Sequence, residues 1–569
     1  MIKKFAALTI SALCIFAAAG CGENTPPVDN SALDADILAS LEEQYHPDME
    51  NVPSLSGKID VEMILGKLVP GWEAVAKAYM DIQPGVYVTI DKNQSSASYT
   101  ENLKNALNSS NSDWDIVQGN YQNSLITSKG VNMYTYVSQK NAYAGKGANG
   151  KGVYWDEVLS KDAYQTDKSG SNSSVYILNS EFLSTGWFVQ EEAFDKAVAL
   201  GYKNADGKAE MPVQWDDVIS LSSYMQQAGY TNPLGIAGNA ESIGSSQFAW
   251  LFRVYGDQYY RELTPLLMAQ EGDYNYDEDV KFTLNDTDTQ PESKSSYVVS
   301  AGRLMNLILD KTSENYNGPT SARYKEFIGQ LAKMKNYIGK DFSALSLDQV
   351  RSQFQYQSQG AASPQILLDY SGYYLTHTAD ATSKGTVSYF DYPYMTGENV
   401  NFHFVRDVGG NGGYLSIVDH GKEQNDLNLD FIKFFMSPYG QSVYYGALQK
   451  NSVAPDGLST VRNGQGKTIF AVPSAWESFF ANETLTYNGL CDMSQFTNNL
   501  IYHFNGNPTT ISKNKEFVWY LFDGTYSVDK YADEWYQVLF DAYQLRCTQE
   551  GWRANMYQTP SQNPSASVG

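Results

Sequence analysis

Residues 58–117 read KIDVEMILGKLVPGWEAVAKAYMDIQPGVYVTIDKNQSSASYTENLKNALNSSNSDWDIV, and the order of their apolar patterns decides the fold. Lys58 to Ile64 is a β-rich run, and Trp72 to Met80 carries apolar residues at helical spacing. The Pro84-Gly85 turn leads into a second strand, Val86 to Ile90. Tyr99 to Leu107 is again helical, and Trp114-Asp115-Ile116-Val117 forms a short third strand. This β-α-β-α-β order predicts an α/β protein with a parallel sheet covered by helices. Ligands of such sheets sit beyond the carboxyl ends of the strands, here near Gly66 to Leu68 and near Gln118 to Tyr121.

Upstream, residues 1–21 read MIKKFAALTISALCIFAAAGC. Lys3 and Lys4 make a short basic start, Phe5 to Ala17 an apolar run, and Ala18-Ala19-Gly20 a small-residue stretch before Cys21. The run is shorter than the ~20 residues a spanning helix needs, so it reads as an export signal. A cysteine at the cleavage point resembles the lipobox of bacterial lipoproteins, which implies a mature chain starting at a lipid-modified Cys21 and held at a membrane face. Gly22 to Glu50 is rich in Asn, Asp, Pro, Glu and Ser and reads as a flexible tether.

Composition narrows the class. The formal charge is −24, and loss of the two leader lysines takes the mature chain to −26. That charge argues against nucleic acid and against adsorption to anionic lipid, leaving the acyl anchor as the membrane contact. With 42% hydrophobic residues, a globular part of roughly 500 residues can build more than one core. The 42 Tyr, 25 Phe and 10 Trp supply flat faces with polar edges, which grip sugars but also fill interiors. Cys491 and Cys547 are the other mature thiols, able either to pair outside the cytoplasm or to remain buried and free.

Farther along, short motifs follow one another in a characteristic order. The first group is Gly71-Trp72 to Tyr79, Pro84 to Val88 and Asp113 to Val117. Next come Gly186-Trp187-Phe188-Val189-Gln190-Glu191-Glu192-Ala193-Phe194 and Met211-Pro212-Val213-Gln214-Trp215-Asp216-Asp217-Val218, then Pro233 to Ile236 and Gln247 to Leu251. Gln359-Gly360-Ala361-Ala362 precedes Gly372-Tyr373-Tyr374, and Val408 to Tyr414, Asp430 to Gln441 and Gly524 to Tyr531 close the series. In this order the chain resembles the carbohydrate-type (family 1) extracellular solute-binding proteins of bacterial ABC importers. The resemblance runs through about 470 residues and rests on the sequence of motifs rather than on any one of them. Within it, Asp216 and Asp217 suit a helix start and Trp215 an anchor for that helix.

The resemblance implies a two-lobe periplasmic-binding-protein-like fold, each lobe a mainly parallel sheet flanked by helices. On this reading residues 1–20 are the signal and 21–54 the tether. Lobe one is 55–170 with 415–448, lobe two 171–414 with 449–555, and 556–569 a disordered tail. Hinges are expected at 169–174, 409–413 and 449–455, where Gly, Ser and Asn absorb rotation. Residues 270–300 lack apolar periodicity and read as an exposed loop.

A solute-binding cleft needs apolar faces and fixed hydrogen-bonding groups, but no catalytic residue and no cofactor. The family pattern puts Tyr121, Trp187, Phe188, Trp250, Tyr373 and Tyr374 near the cleft as aromatic candidates. Gln118, Asn120, Glu181 and Gln247 are the polar candidates, with Gly412 and Gly413 of the glycine-rich segment beside them. Asp273, Asn275, Asp277 and Asp279 have the alternating spacing of a calcium loop, but Glu278 stands at its glycine position and Leu284 at its final glutamate, so a solvated acidic loop is the better reading. The five histidines, His46, His377, His403, His420 and His503, lack metal-site spacing. The expected protein is a monomeric, lipid-anchored receptor that captures a carbohydrate, in particular an oligosaccharide, and delivers it to ABC permease subunits. A surface glycoside hydrolase or lyase, or a receptor of this fold for another solute, fits the same residues.

Overall fold

The computed structural model describes residues 47–565, apart from 110–111, 147–150, 161–162, 165, 170–171, 184, 279–299, 371, 374–376, 378–381, 406–409, 452, 454, 456 and 463–507. Cys21, Tyr374 and Cys491 therefore lie outside the described residues. The chain forms two compact units. Unit 1 takes residues 1–182, 374–383 and 412–471; unit 2 takes 183–373, 384–411 and 472–569.

Unit 1 is built on the opening β-α-β-α-β segment. The strand Ser56–Glu62 pairs in parallel with Gly85–Ile90 on one side and Ile116–Val117 on the other. Gly410–Ile417 adds antiparallel to Ile116–Val117, and the sheet continues through Leu178–Leu183 to Leu458–Ser459. The connecting helices are Val69–Ile82 and Ser96–Asn108, where the sequence pattern predicts them. The first buries Trp72, Val75, Ala76 and Tyr79 on one helical face, with Trp72 packed on Phe435 at 4.4 Å and Tyr79 on Phe431 at 5.1 Å. Its Gly71 lies so close to the helix Pro438–Lys450 that a β-carbon there would meet the Tyr444 ring at 2.6 Å.

One buried polar knot ties this unit together. The Asp430 carboxylate accepts from Tyr79 Oη at 2.8 Å and Tyr143 Oη at 2.6 Å, with Gln83 Nε2 at 3.4 Å. Burial pushes the Asp430 pKa up, and the two phenols oppose it. Asp430 sits on the helix Lys422–Phe435, which ends before Pro438 opens the next helix. The motif Asp430 to Gln441 thus spans two helices, because Pro438 cannot continue the first and Ser437 Oγ caps the second at Gly440 N, 3.1 Å.

Unit 2 carries a four-stranded sheet in the order Val387–Phe390, Thr185–Gln190, Ile366–Tyr370, Leu234–Gly235. Here the mainly parallel expectation fails: Thr185–Gln190 is antiparallel to both neighbours, and the single parallel ladder joins Ile366–Tyr370 to Leu234–Gly235. Helices cover the sheet. Trp215 opens the helix Trp215–Gln227 and anchors it through Nε1 to Gln330 O, 2.8 Å. Asp217 caps the same helix by accepting from Val213 N and Gln214 N at 2.9 and 2.8 Å, as the sequence implies.

Several boundaries differ from the sequence reading. Unit 1 runs on to Phe182 because Leu178–Leu183 pairs with Leu458–Ser459 in its sheet. The expected hinge at 169–174 is instead the end of a hairpin, Asp167–Ser169 against Asn172–Ser174. Residues 449–455 lie within a unit 1 stretch, whereas the division at Asn411 falls inside the expected hinge at 409–413. The packed chain begins by Asp48, whose N–H donates to Ala142 O at 2.7 Å. At the other end the expected tail is folded as far as Ser565: Met556 is buried in the unit 2 core, and Arg553 bonds Asn563 O and Gln562 Oε1. The start of the 270–300 loop is fixed, since buried Asp273 receives two hydrogen bonds from Arg303, 2.5 and 2.9 Å. That ion pair takes the carboxylate a calcium loop would need.

Candidate functional site

The parallel ladder of unit 1 gathers polar side chains at its carboxyl end. Register pairs Val61 with Ile90, so the next step places Glu62 beside Asp91. Paired residues in a parallel ladder share a face of the sheet, and Gln94 Nε2 donates to both carboxylates, to Glu62 Oε2 and Asp91 Oδ2 at 2.8 Å each. Half-buried Glu62 is pushed up to about 7, first by desolvation and then by the neighbouring Asp91, against the lowering effect of Gln94.

Tyr99, buried on the helix Ser96–Asn108, links this pair to the third strand. Its hydroxyl donates to Glu62 O at 2.6 Å and accepts from Gln118 N at 2.9 Å. Gln118 Oε1 in turn accepts from Ile64 N at 3.1 Å, which fixes the amide. The Tyr99 ring stacks on Trp114 at 5.8 Å and meets the edge of Tyr121 at 5.3 Å. Tyr121 keeps 37% of its surface exposed, the most of the candidate aromatics among the described residues. Half-buried Asn120 has no partner for Oδ1 among the described residues.

Glycine makes the close packing of this end possible. A β-carbon at Gly119 would lie 2.1 Å from Ser416 Oγ, so no other residue fits beside the strand Gly410–Ile417. Gly413 has φ +58° and accepts from Ser180 Oγ at 3.2 Å, while Gly412 is buried. Glu181 is buried on the neighbouring strand, where Tyr444 Oη donates to it at 3.3 Å. Tyr414, half-buried, lies close enough to Tyr121 for burial and that phenol to raise its pKa.

The unit 2 candidates sit elsewhere, inside its core. Trp187 is 0% exposed, stacked on Phe390 at 6.1 Å and packed against Trp215 and Tyr392 at 6.2 and 6.5 Å. Phe188 points to the other sheet face against Tyr373, 5.3 Å, and Trp250 packs on Tyr370 at 4.6 Å. Gln247 is a brace: Oε1 accepts from Ala237 N at 2.6 Å, and Nε2 donates to Gly235 O and Leu368 O at 2.9 and 2.8 Å. A side chain packed on every side has no face to offer a solute. Trp187, Phe188, Trp250, Tyr373 and Gln247 are all buried in this structure, the two first on the strand Thr185–Gln190 and Gln247 and Trp250 on the helix Gln247–Tyr260.

Sequence reading placed Gln118, Asn120 and Tyr121 correctly at a strand end but missed Glu62, Asp91 and Gln94. The signal was present in the acids that close KIDVE and VTID. The first strand ends at Glu62 rather than Ile64, and Gly66–Leu68 beyond it is a short 3₁₀ turn whose one polar side chain is Lys67. Among the described residues no three His, Cys, Asp or Glu side chains are grouped to hold a metal, and no helix is long and apolar enough to cross a membrane.

No protein-family model and no curated protein matches the chain. Solved structures do. A family 1 extracellular solute-binding protein from Bifidobacterium longum subsp. infantis is similar with a TM-score of 0.50 and 13% identity, over 85% of this chain and 99% of that one. The apo form of RafE from Streptococcus pneumoniae is similar with a TM-score of 0.50 and 13% identity, over 86% of this chain and 98% of that one. A structure of RafE in complex with raffinose is also similar, with a TM-score of 0.48 and 12% identity, over 82% of this chain and all of that one. The chain has the α/β fold of the extracellular solute-binding proteins, as the order of its motifs implies.

Proposed function

We propose that this chain is a solute receptor of an ABC importer that captures a carbohydrate, specifically an oligosaccharide, and delivers it unchanged to a membrane permease. The observation that carries the reading is the strand-end cluster of unit 1. Glu62 and Asp91 are acceptors, Gln94, Gln118 and Asn120 are amides of both senses, and Tyr121 offers a ring face. A neutral, hydroxyl-rich solute needs many acceptors and donors plus a flat apolar contact, and it needs no fixed positive charge. RafE, which has this fold, has been solved with raffinose, and that supports a sugar over an ion or amino acid.

The test is a thermal-shift screen with α-galactoside, α-glucan, mannan and chitin oligosaccharides. One class is expected to stabilise the protein by about 2.7 kcal/mol at a hundredfold excess over Kd. If all four classes leave the melting point unmoved, a carbohydrate receptor is the wrong reading. The same proposal places the protein at the outer face of the cytoplasmic membrane through acyl chains on Cys21. In a lipoprotein-processing bacterium the wild-type chain should then fractionate with membranes, whereas Cys21→Ala should leave them or stay unprocessed. Equal partitioning of both forms would remove the anchor.

A further inference from the structure

The pair at the strand ends has a feature that solute capture alone does not require. Glu62 and Asp91 share one amide donor, Gln94, and neither is ion-paired to a lysine or arginine among the described residues. Asp60 adds a third carboxylate on the same face of the strand, two residues before Glu62. The lysines of the region are engaged elsewhere: Lys58 pairs with Asp60 at 2.9 Å, and Lys92 pairs with Glu73. From the helix Ser96–Asn108 the Tyr99 phenol reaches the Glu62 carbonyl, and from the third strand the uncharged Gln118 reaches Ile64 N, two residues on. Asp115 accepts from Asp60 N at 2.9 Å, and His420 lies 3.9 Å from Asp115.

We propose that Glu62 and Asp91 form a proton-sharing carboxyl pair that locks the strand ends of unit 1 in mildly acid conditions and loosens them as pH rises through neutrality. With one proton between them the two groups attract and both accept from Gln94. Without it two negative charges face each other in a half-buried site. The strain passes along a continuous path: Tyr99 holds the Glu62 carbonyl and the Gln118 amide, and Gln118 holds Ile64 N. Asp91 N also donates to Val61 O at 3.0 Å, so the backbone beside each carboxylate reports on the pair. That the device bears on sugar capture rests on the receptor reading above; the device itself does not.

The sign follows from linkage. A carboxyl group raised from 4.5 to about 7 in the folded pair favours the closed pair fully below pH 4.5, and that advantage is lost as pH rises to about 7. An opening that restores the ordinary value becomes about tenfold more frequent between pH 6 and pH 8.

Hydrogen exchange of the ligand-free, full-length protein tests this without any sugar, so its failure leaves the receptor reading untouched. After correction for intrinsic base catalysis, protection of the Ile64, Asp91 and Gln118 amides should fall about tenfold from pH 6 to pH 8. Glu62→Gln should abolish that fall, since the amide is neutral at both values. Asp91→Asn should make the fall smaller, since the neighbouring charge is gone while burial still raises Glu62, and it tests the pair should the first variant fold poorly. Wild-type protection equal at the two pH values would overturn the proposal. So would a tenfold fall surviving in Glu62→Gln, which would assign the effect to another group, or a fall in Asp91→Asn as large as in the wild type, which would remove Asp91 from the pair.

Discussion

Replacing Trp187 by alanine is expected to destabilise unit 2 by about 3–5 kcal/mol, the cost of emptying a large aromatic site in a packed core. The ring has no exposed surface and three aromatic neighbours, Phe390, Trp215 and Tyr392. Trp215 also starts a helix and bonds Gln330 O, so the cavity would loosen that anchor along with the sheet. Denaturant unfolding should show an earlier transition for unit 2. The variant should keep its ligand affinity while folded. A Trp187→Ala protein of normal stability that no longer bound solute would return this ring to the binding surface.

An effect of similar size is expected at Arg351. Its guanidinium grips the fully buried Asp369 carboxylate twice, at 2.6 Å from Nε and 2.6 Å from Nη2, and reaches the exposed Asp348 at 2.9 Å. Burial would lower the Arg351 pKa, but the two carboxylates more than reverse it. Arg351→Met strands Asp369 as an unpaired buried charge at the end of the strand Ile366–Tyr370, which should cost about 3–5 kcal/mol. Adding Asp369→Leu should recover a good part of that loss, because the penalty lies in the orphaned charge. Unfolding midpoints of the single and double variants measure both. Equal stability of Arg351→Met and wild type would show the pair to be solvated and unimportant.

How far the sequence could be read differs between the two units for physical reasons. In unit 1 the strands and helices of residues 58–117 alternate with clean periodicity, because each helix buries one face and each strand is bounded by turn residues. Their order was therefore legible, and so was the strand end carrying Gln118 and Tyr121. The Glu62–Asp91 contact was not, since it depends on a register offset between two strands that only the folded ladder sets. In unit 2 the strand Thr185–Gln190 is buried on both faces, so Trp187 and Phe188 give the same apolar signal a ligand-stacking pair would. Gln247 misled for a related reason. A polar residue at a helix start suits a binding site, yet its amide is consumed by three backbone groups of distant segments. Strand direction was equally hidden, because apolar runs look alike whichever way they enter a sheet.

The claim that this protein captures an oligosaccharide without altering it is tested most directly by calorimetric titration of the sugar class that raises the melting point, followed by mass analysis of the recovered sugar. Saturable binding at one site and a sugar of unchanged mass are expected. Tyr121→Ala should bind about tenfold to a hundredfold more weakly, since a stacked ring face contributes on the order of 1–3 kcal/mol, while melting almost as the wild type does. Cleaved sugar would make the protein an enzyme, and unchanged affinity in Tyr121→Ala would move the site away from the strand ends of unit 1.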